Sequence, residues 1–303
     1  MIVQELSPLE LKSRLYNGGL RVRTGPVVSS IRSRLPRVAR GIALHYGDYS
    51  VEDLRGFADF DVRVVPPRST RRWLKPQVCF RFDGATPFLP LPADQAFAML
   101  EWGLNWCVSN YCHQFLIVHA ASVERSGRAL LLPGDAGSGK STLCAGLVSR
   151  GWRLLSDELT LLDPTSGNVV PLPRPVSLKN ASIDAVRAFA PGATLSDPVH
   201  DTAKGSVAHM KPPSDSVRRA TESAQPSWIV LPSYEAGADA RLAPLSKARA
   251  FMHLADHAFN YDVHGRKGFD LLARVVSTSE CFEFRYARLE DAIALFDEAL
   301  ALA

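Results

Sequence analysis

Leucines recur at helical spacing through Ser7–Tyr16, behind a Ser-Pro start, and the run stops at Asn17-Gly18-Gly19. That pattern predicts a short amphipathic helix. From Leu20 to about Leu91 the pattern changes to short β-branched and aromatic runs: Leu20–Thr24, Val27–Arg32, Ile42–Tyr46, Phe60–Val65 and Val78–Phe82. Glycine, proline and aspartate divide them, which predicts strands of a small β-rich N-terminal domain, residues 1–92. Pro90-Leu91-Pro92 then breaks the chain. Ala93–His113 is apolar and long enough for a helix buried against both of its neighbours.

The second expected domain, residues 93–303, has a different grammar. Ala129–Pro133 predicts a strand, a glycine-rich loop follows, Lys140–Arg150 predicts a helix closed by Gly151, and Trp152–Leu155 predicts the next strand. Strand, loop, helix, strand is how α/β domains build phosphate sites. Leu159–Leu162 and Asn168–Leu172 flank Pro164-Thr165-Ser166-Gly167 and predict a hairpin. Trp228–Leu231 and Cys281–Tyr286 predict strands; Ser246–Phe259, Phe269–Val276 and Leu289–Leu302 predict helices. Ala193–Gln225 is rich in Gly, Pro, Ser and charge with little periodicity, so it is expected to be irregular, either a lid over a ligand or a linker.

Composition narrows the class. The 303 residues are 46% hydrophobic and 22% charged, as in an ordinary soluble globular protein. A formal charge of +4 argues for neither nucleic acid nor membrane partners. Arg21, Arg23, Arg32, Arg34, Arg37 and Arg40 have no interleaved aromatics and read as a solvated β-face. Five cysteines, an odd number without disulfide or zinc spacing, fit a reducing compartment, and Cys107 and Cys112 read as buried helix thiols. The N-terminus has no long apolar core of the kind a signal peptide needs, and Phe115–Ala121 and Ala129–Pro133 are too short to span a bilayer. A cytoplasmic location is expected.

The chemistry is concentrated in Gly134-Asp135-Ala136-Gly137-Ser138-Gly139-Lys140-Ser141, which satisfies G-x-x-x-x-G-K-[ST]. The glycines let successive N–H groups converge on an anion, and the following helix adds its positive N-terminal end. In this reading Lys140 reaches the β- and γ-phosphates and Ser141 holds Mg²⁺. Asp157 and Glu158 end the next apolar run, where an acid beside the loop can hold Mg²⁺ or take a proton. The plainer reading of the pair is the solvated start of a hairpin. Arg174 and Lys179 could clamp phosphate or acceptor or simply flank a proline-rich crossing. Lys204, His209 and Lys211 lie in the irregular stretch and are candidates to close over the nucleotide. His253, His257 and His264 show no metal-ligand spacing with nearby acids.

His119, the loop and the acidic pair together resemble the core of bacterial HPr kinase/phosphorylase. More narrowly, the whole chain is similar to the HPr-kinase-related kinases (type A) of bacterial peptide-modification gene clusters. His119 lies 15 residues before Gly134, and Asp157 follows Lys140 by 17. The resemblance implies a P-loop kinase domain of the HPr kinase/phosphoenolpyruvate carboxykinase-like fold. It also implies that Asp157 accepts the hydroxyl proton, that Glu158 supports the metal and that His119 lies near the transferred phosphate. The chain departs from HPr kinase at Glu158, where that family has a second aspartate, and at Ala136 and Thr142, where it has Ser and Glu. No metal-binding glutamate segment stands at Pro171–Lys179. HPr is therefore not the implied acceptor.

The expectation is an α/β kinase that uses ATP or GTP with Mg²⁺. Its phosphate site comprises Gly134–Thr142 with Arg174, Lys179 and Lys204. It phosphorylates a Ser/Thr-type hydroxyl of a peptide or carrier protein. The rivals are a non-catalytic nucleotide-gated switch and a small-molecule kinase; the oligomeric state is open.

Overall fold

The computed structural model describes residues 1–53, 55–68 and 74–299. The first helix, α1 (Pro8–Asn17), starts with a capping box: the Ser7 hydroxyl accepts from the Glu10 amide at 3.2 Å and the Glu10 carboxylate accepts from the Ser7 amide at 2.8 Å. Strands β1 (Leu20–Thr24) and β2 (Val27–Ser33) form a hairpin, and helix α2 (Pro36–His45) follows. Strands β3 (Phe60–Val65), β4 (Gln77–Phe82) and β5 (Leu91–Pro92) complete a five-stranded sheet in chain order.

Two expectations about this region are corrected. Ile42–Tyr46 was expected to be a strand, but Ile42–His45 is the last turn of α2. Val38, Ala39, Ile42 and His45 are buried on one face, which is helical spacing, and β2 and β3 are parallel, so a crossover must join them. The arginines share no single β-face, because Arg37 and Arg40 lie on α2. Arg23 and Arg32 pair with Glu52 and Asp61, and Arg21 donates to the Asp53 carbonyl.

Helix α3 (Ala96–Tyr111) buries Leu100, Leu104, Cys107 and Val108 in one core with the five-stranded sheet. That core also takes in Ile117, Leu159 and Leu161 from the following sheet and Leu172 from the segment after β10. The five cysteines are free and buried, and burial pushes the Cys107 and Cys112 thiols up to about 12.

The second sheet is built from β6 (Leu116–Arg125), β7 (Arg128–Pro133), β8 (Arg153–Ser156), β9 (Leu159–Leu162) and β10 (Val169–Val170), with helix α4 (Lys140–Ser149) between β7 and β8. Further along the chain come β11 (Val176–Lys179), α5 (Ala181–Phe189), β12 (Val199–Thr202), β13 (Gly205–Met210) and α6 (Ser214–Arg218). Then follow β14 (Gln225–Tyr234), β15 (Arg241–Pro244), α7 (Lys247–Asp256), α8 (Tyr261–His264), α9 (Arg266–Thr278), β16 (Glu280–Tyr286) and α10 (Leu289–Ala299). The strand order is β10-β9-β6-β7-β14-β16-β15, with β8 also paired to β6. β7, β14 and β16 run parallel, and the other neighbours are antiparallel.

Alternate residues of the central strands enter two different cores, as a two-sided sheet requires. Val123, Leu130 and Leu132 pack with α4, α5 and α10, while Val118, Leu131 and Ile229 pack with α7 and α9. The molecule is therefore mixed α/β with helices on both faces of its larger sheet. Among the described residues no helix is long and apolar enough to cross a membrane. The expected last helix is described to Ala299, and its residues 300–302 lie outside the described range.

Ala193–Gln225 is irregular only in part, because β12, β13 and α6 lie within it. Antiparallel β11, β13 and β12 form a three-stranded sheet, and Val207–Met210 is buried in its central strand. A buried central strand does not alternate, so its sequence lacks the period-two signal.

Candidate active site

The site lies where β7 hands over to α4. The chain leaves Pro133 and turns through Gly134, Gly137 and Gly139, which all have positive φ. Gly139, at φ 94°, is the N-cap of α4, and a Cβ there would collide with the Tyr286 hydroxyl. The next two parallel strands of the sheet, β14 and then β16, brace the loop: Tyr286 donates to the Gly139 carbonyl at 2.8 Å, and the Tyr234 amide donates to the Ser138 carbonyl at 3.2 Å. The first amides of α4 have no partner within the helix, so the helix presents donors and a positive end at the loop. Lys140 is buried, and its ammonium donates to the Gly134 and Asp135 carbonyls at 2.6 and 2.7 Å. Two of its three N–H donors are thus committed to fixing its position.

Asp157 and Glu158 form the turn between β8 and β9. Both strands pair with β6, which also carries His119 opposite Leu159. One strand therefore sets the spacing between the histidine and both acids. Asp157 is 5% exposed; the Ser177 amide donates to its Oδ2 at 2.8 Å, while its buried Oδ1 has no partner. Burial, with the Glu158 charge second, pushes the Asp157 carboxyl up to about 6. For Glu158 burial acts upward too, but the Lys179 and Lys204 charges lead those that outweigh it and hold the carboxyl below its ordinary value. Lys179 lies 3.6 Å from Glu158 Oε1, and Asn105 donates to Oε2 at 2.8 Å. Burial, then Lys140, pushes His119 down to about 4, so its imidazole is neutral at neutral pH.

These groups share a cavity of about 470 Å³, a size that suits a small-molecule ligand. Its polar wall includes Ala136, Gly137, Gly139, Lys140, Ser141 and Thr142, facing His119, Asp157, Glu158 and Lys179. The lining also takes in Ala181, Ala185 and Ala188 from one face of α5, with Leu289 between Arg288 and Glu290. Gly134, Asp135 and Ser138 shape the loop without lining this cavity. Asp135 is turned outward, with Oδ1 3.3 Å from His257 Nε2.

Four other candidates do not line this cavity. Arg174 is captured by α3: its guanidinium donates to Glu101 Oε2 at 2.7 Å and to Asn105 Oδ1 at 2.6 Å. It borders a separate cavity of about 20 Å³ behind the acids. Lys204 stands over the Trp102 ring, 5.3 Å from its centroid, outside the lining of the large cavity. Lys211 is paired with Asp48 at 2.7 Å. His209 is buried in an aromatic cluster with His45 and Phe97, and burial pushes it down to about 4. Conversely, Asn105, Ser177, Tyr286 and the alanine face of α5 belong to the site, and no local motif announced them.

Among the described residues, no three His, Cys, Asp or Glu side chains gather to hold a metal by themselves. Mg²⁺ does not require that, because it is typically held by one or two carboxylates together with substrate phosphates and water. Ser141 and Glu158 line the cavity with oxygens suited to this, and the buried, unpartnered Asp157 Oδ1 beside them can meet either a metal or a proton. No protein-family model matches the chain, and no curated protein matches it either.

Proposed function

We propose that this protein is a phosphotransferase of the HPr-kinase-related kind, moving the γ-phosphate of ATP or GTP to a hydroxyl of a peptide or carrier protein. One observation carries the reading: Lys140, fixed by its glycine-rich loop, and Asp157, with a buried unpaired oxygen, wall one nucleotide-sized cavity. The loop amides and Lys140 gather the phosphates, and the α5 alanine face with Leu289 gives the base an apolar slot. Mg²⁺, held through Ser141 and Glu158, would offset the charge of the phosphates and leave Asp157 Oδ1 to the acceptor.

In the transfer, the acceptor oxygen bonds to the γ-phosphorus as the bond to the β–γ bridging oxygen breaks. Asp157 Oδ1 takes the hydroxyl proton, and a carboxyl of pKa about 6 is ionised at neutral pH yet basic enough to accept it. His119, neutral and half-buried near Lys140, sits where it can hydrogen-bond a phosphate oxygen. A nucleotide-gated switch needs Mg²⁺ ligands but no proton acceptor, so a buried carboxyl raised to about 6 beside them favours the enzyme.

Calorimetry with Mg·ATP on wild type and Lys140→Ala tests the proposal. The variant should bind at least about a hundredfold more weakly and lose turnover in similar proportion. A folded variant with wild-type affinity would falsify the assignment of the loop.

A further inference from the structure

Glu158 is held by a chain of hydrogen bonds that begins in the core of the N-terminal sheet. Tyr46, fully buried at the end of α2, donates to Glu101 Oε1 at 2.7 Å. Glu101 Oε2 accepts from Arg174 Nη2 at 2.7 Å, Arg174 Nη1 donates to Asn105 Oδ1 at 2.6 Å, and Asn105 Nδ2 donates to Glu158 Oε2 at 2.8 Å. Glu101 and Arg174 are 4% and 6% exposed, so the middle of this chain is shielded from water.

The polarity of the chain is fixed by chemistry. Arginine has donors only, so the Asn105 atom facing Arg174 must be its carbonyl oxygen, and the amide cannot flip. The Asn105 NH₂ is then forced towards Glu158, where it can be satisfied only by an acceptor oxygen. With Oε2 engaged there, the Glu158 carboxylate is locked in rotation, and Oε1, 3.6 Å from Lys179, is left at the cavity wall.

We infer that Asn105 is a positioning residue that presents the Glu158 carboxylate to the magnesium ion of a bound Mg·nucleotide. The N-terminal sheet and α3 thereby act as the second half of the site, through Tyr46, Glu101 and Arg174. This rests on the phosphotransferase reading above. Losing a partner that orients a metal-binding carboxylate typically weakens metal binding by about 10–100-fold.

The test is a Mg²⁺ titration of ATP binding followed by calorimetry, with ATP affinity in EDTA and thermal melting measured alongside. Two variants are compared with wild type. Asn105→Leu removes the donor at similar size, and Asn105→Asp keeps a partner for Arg174 while taking the donor from Glu158. Both should need at least about tenfold more Mg²⁺ to reach half-saturation, with ATP affinity in EDTA within about twofold of wild type. Should Asn105→Leu prove too unstable, Asn105→Asp alone decides. If wild type binds Mg·ATP and the folded variants keep its Mg²⁺ midpoint, or lose metal-free affinity in equal measure, Asn105 is only a structural contact. If wild type binds no nucleotide under any condition, the phosphotransferase reading fails and this inference with it.

Discussion

Replacing Asp157 with asparagine sets stability against chemistry, and the structure gives the size of the effect. The Asp157 carboxyl titrates at about 6 against an ordinary 3.8, because it is buried and lies beside Glu158. At about 1.4 kcal/mol per pH unit, that difference corresponds to about 3 kcal/mol. The pKa is raised on folding, so the folded state is favoured by this group below its unfolded value, and the benefit is lost as pH rises through about 6. Above that pH wild type carries a buried charge that the asparagine variant lacks. The variant keeps an acceptor for the Ser177 amide, and its NH₂ replaces an oxygen that already has no partner. Asp157→Asn should therefore be about 2–3 kcal/mol more stable than wild type at about pH 8 and nearly equal to it at about pH 4. Phosphoryl transfer should meanwhile fall by roughly 10²–10⁴-fold, and the wild-type rate should climb with pH through about 6. Urea unfolding of both proteins at the two pH values, with a transfer assay, measures this. A variant no more stable at the higher pH would refute the burial argument, and undiminished transfer would remove Asp157 from the base role.

Gly139→Ala meets both a positive φ and the Tyr286 hydroxyl, so it should lower stability by about 1–3 kcal/mol and weaken ATP binding. Melting curves and calorimetry read the two effects, and an unperturbed variant would show that the loop relaxes freely. Amide hydrogen exchange at Val207, Ala208 and Met210 should be slow both with and without nucleotide, because β13 is buried between β11 and β12. Fast exchange that slows only on adding Mg·ATP would restore the idea of a lid over this stretch.

Most elements are written locally. The Ser7 cap with its Glu10 partner, the Gly134–Ser141 spacing and the apolar runs at Phe60–Val65 and Trp228–Leu231 each depend on neighbours within a few residues. The cavity lining that contains His119, Lys140, Ser141, Asp157 and Glu158 could be anticipated for the same reason, since adjoining strands around one loop fix the spacing. The local pattern misled at Ile42–His45, where an apolar run fits helix and strand alike and only the parallel pairing of β2 with β3 demands the crossover. It also misled at Val199–Met210, whose strands owe their existence to β11, more than twenty residues upstream.

Charge assignments were the least legible. From sequence Arg174 could clamp a phosphate or simply flank a proline-rich crossing, yet Glu101 and Asn105, on a helix some seventy residues earlier, claim its guanidinium. Sequence determined which groups could bind phosphate and which residues would be helical or extended. Tertiary structure decided which charges are spent on each other, which oxygen of Asp157 stays unpaired, and that the N-terminal sheet reaches Glu158. Backbone preference and loop geometry act over a few residues, whereas burial and ion pairing depend on whichever segments folding brings within a few ångströms.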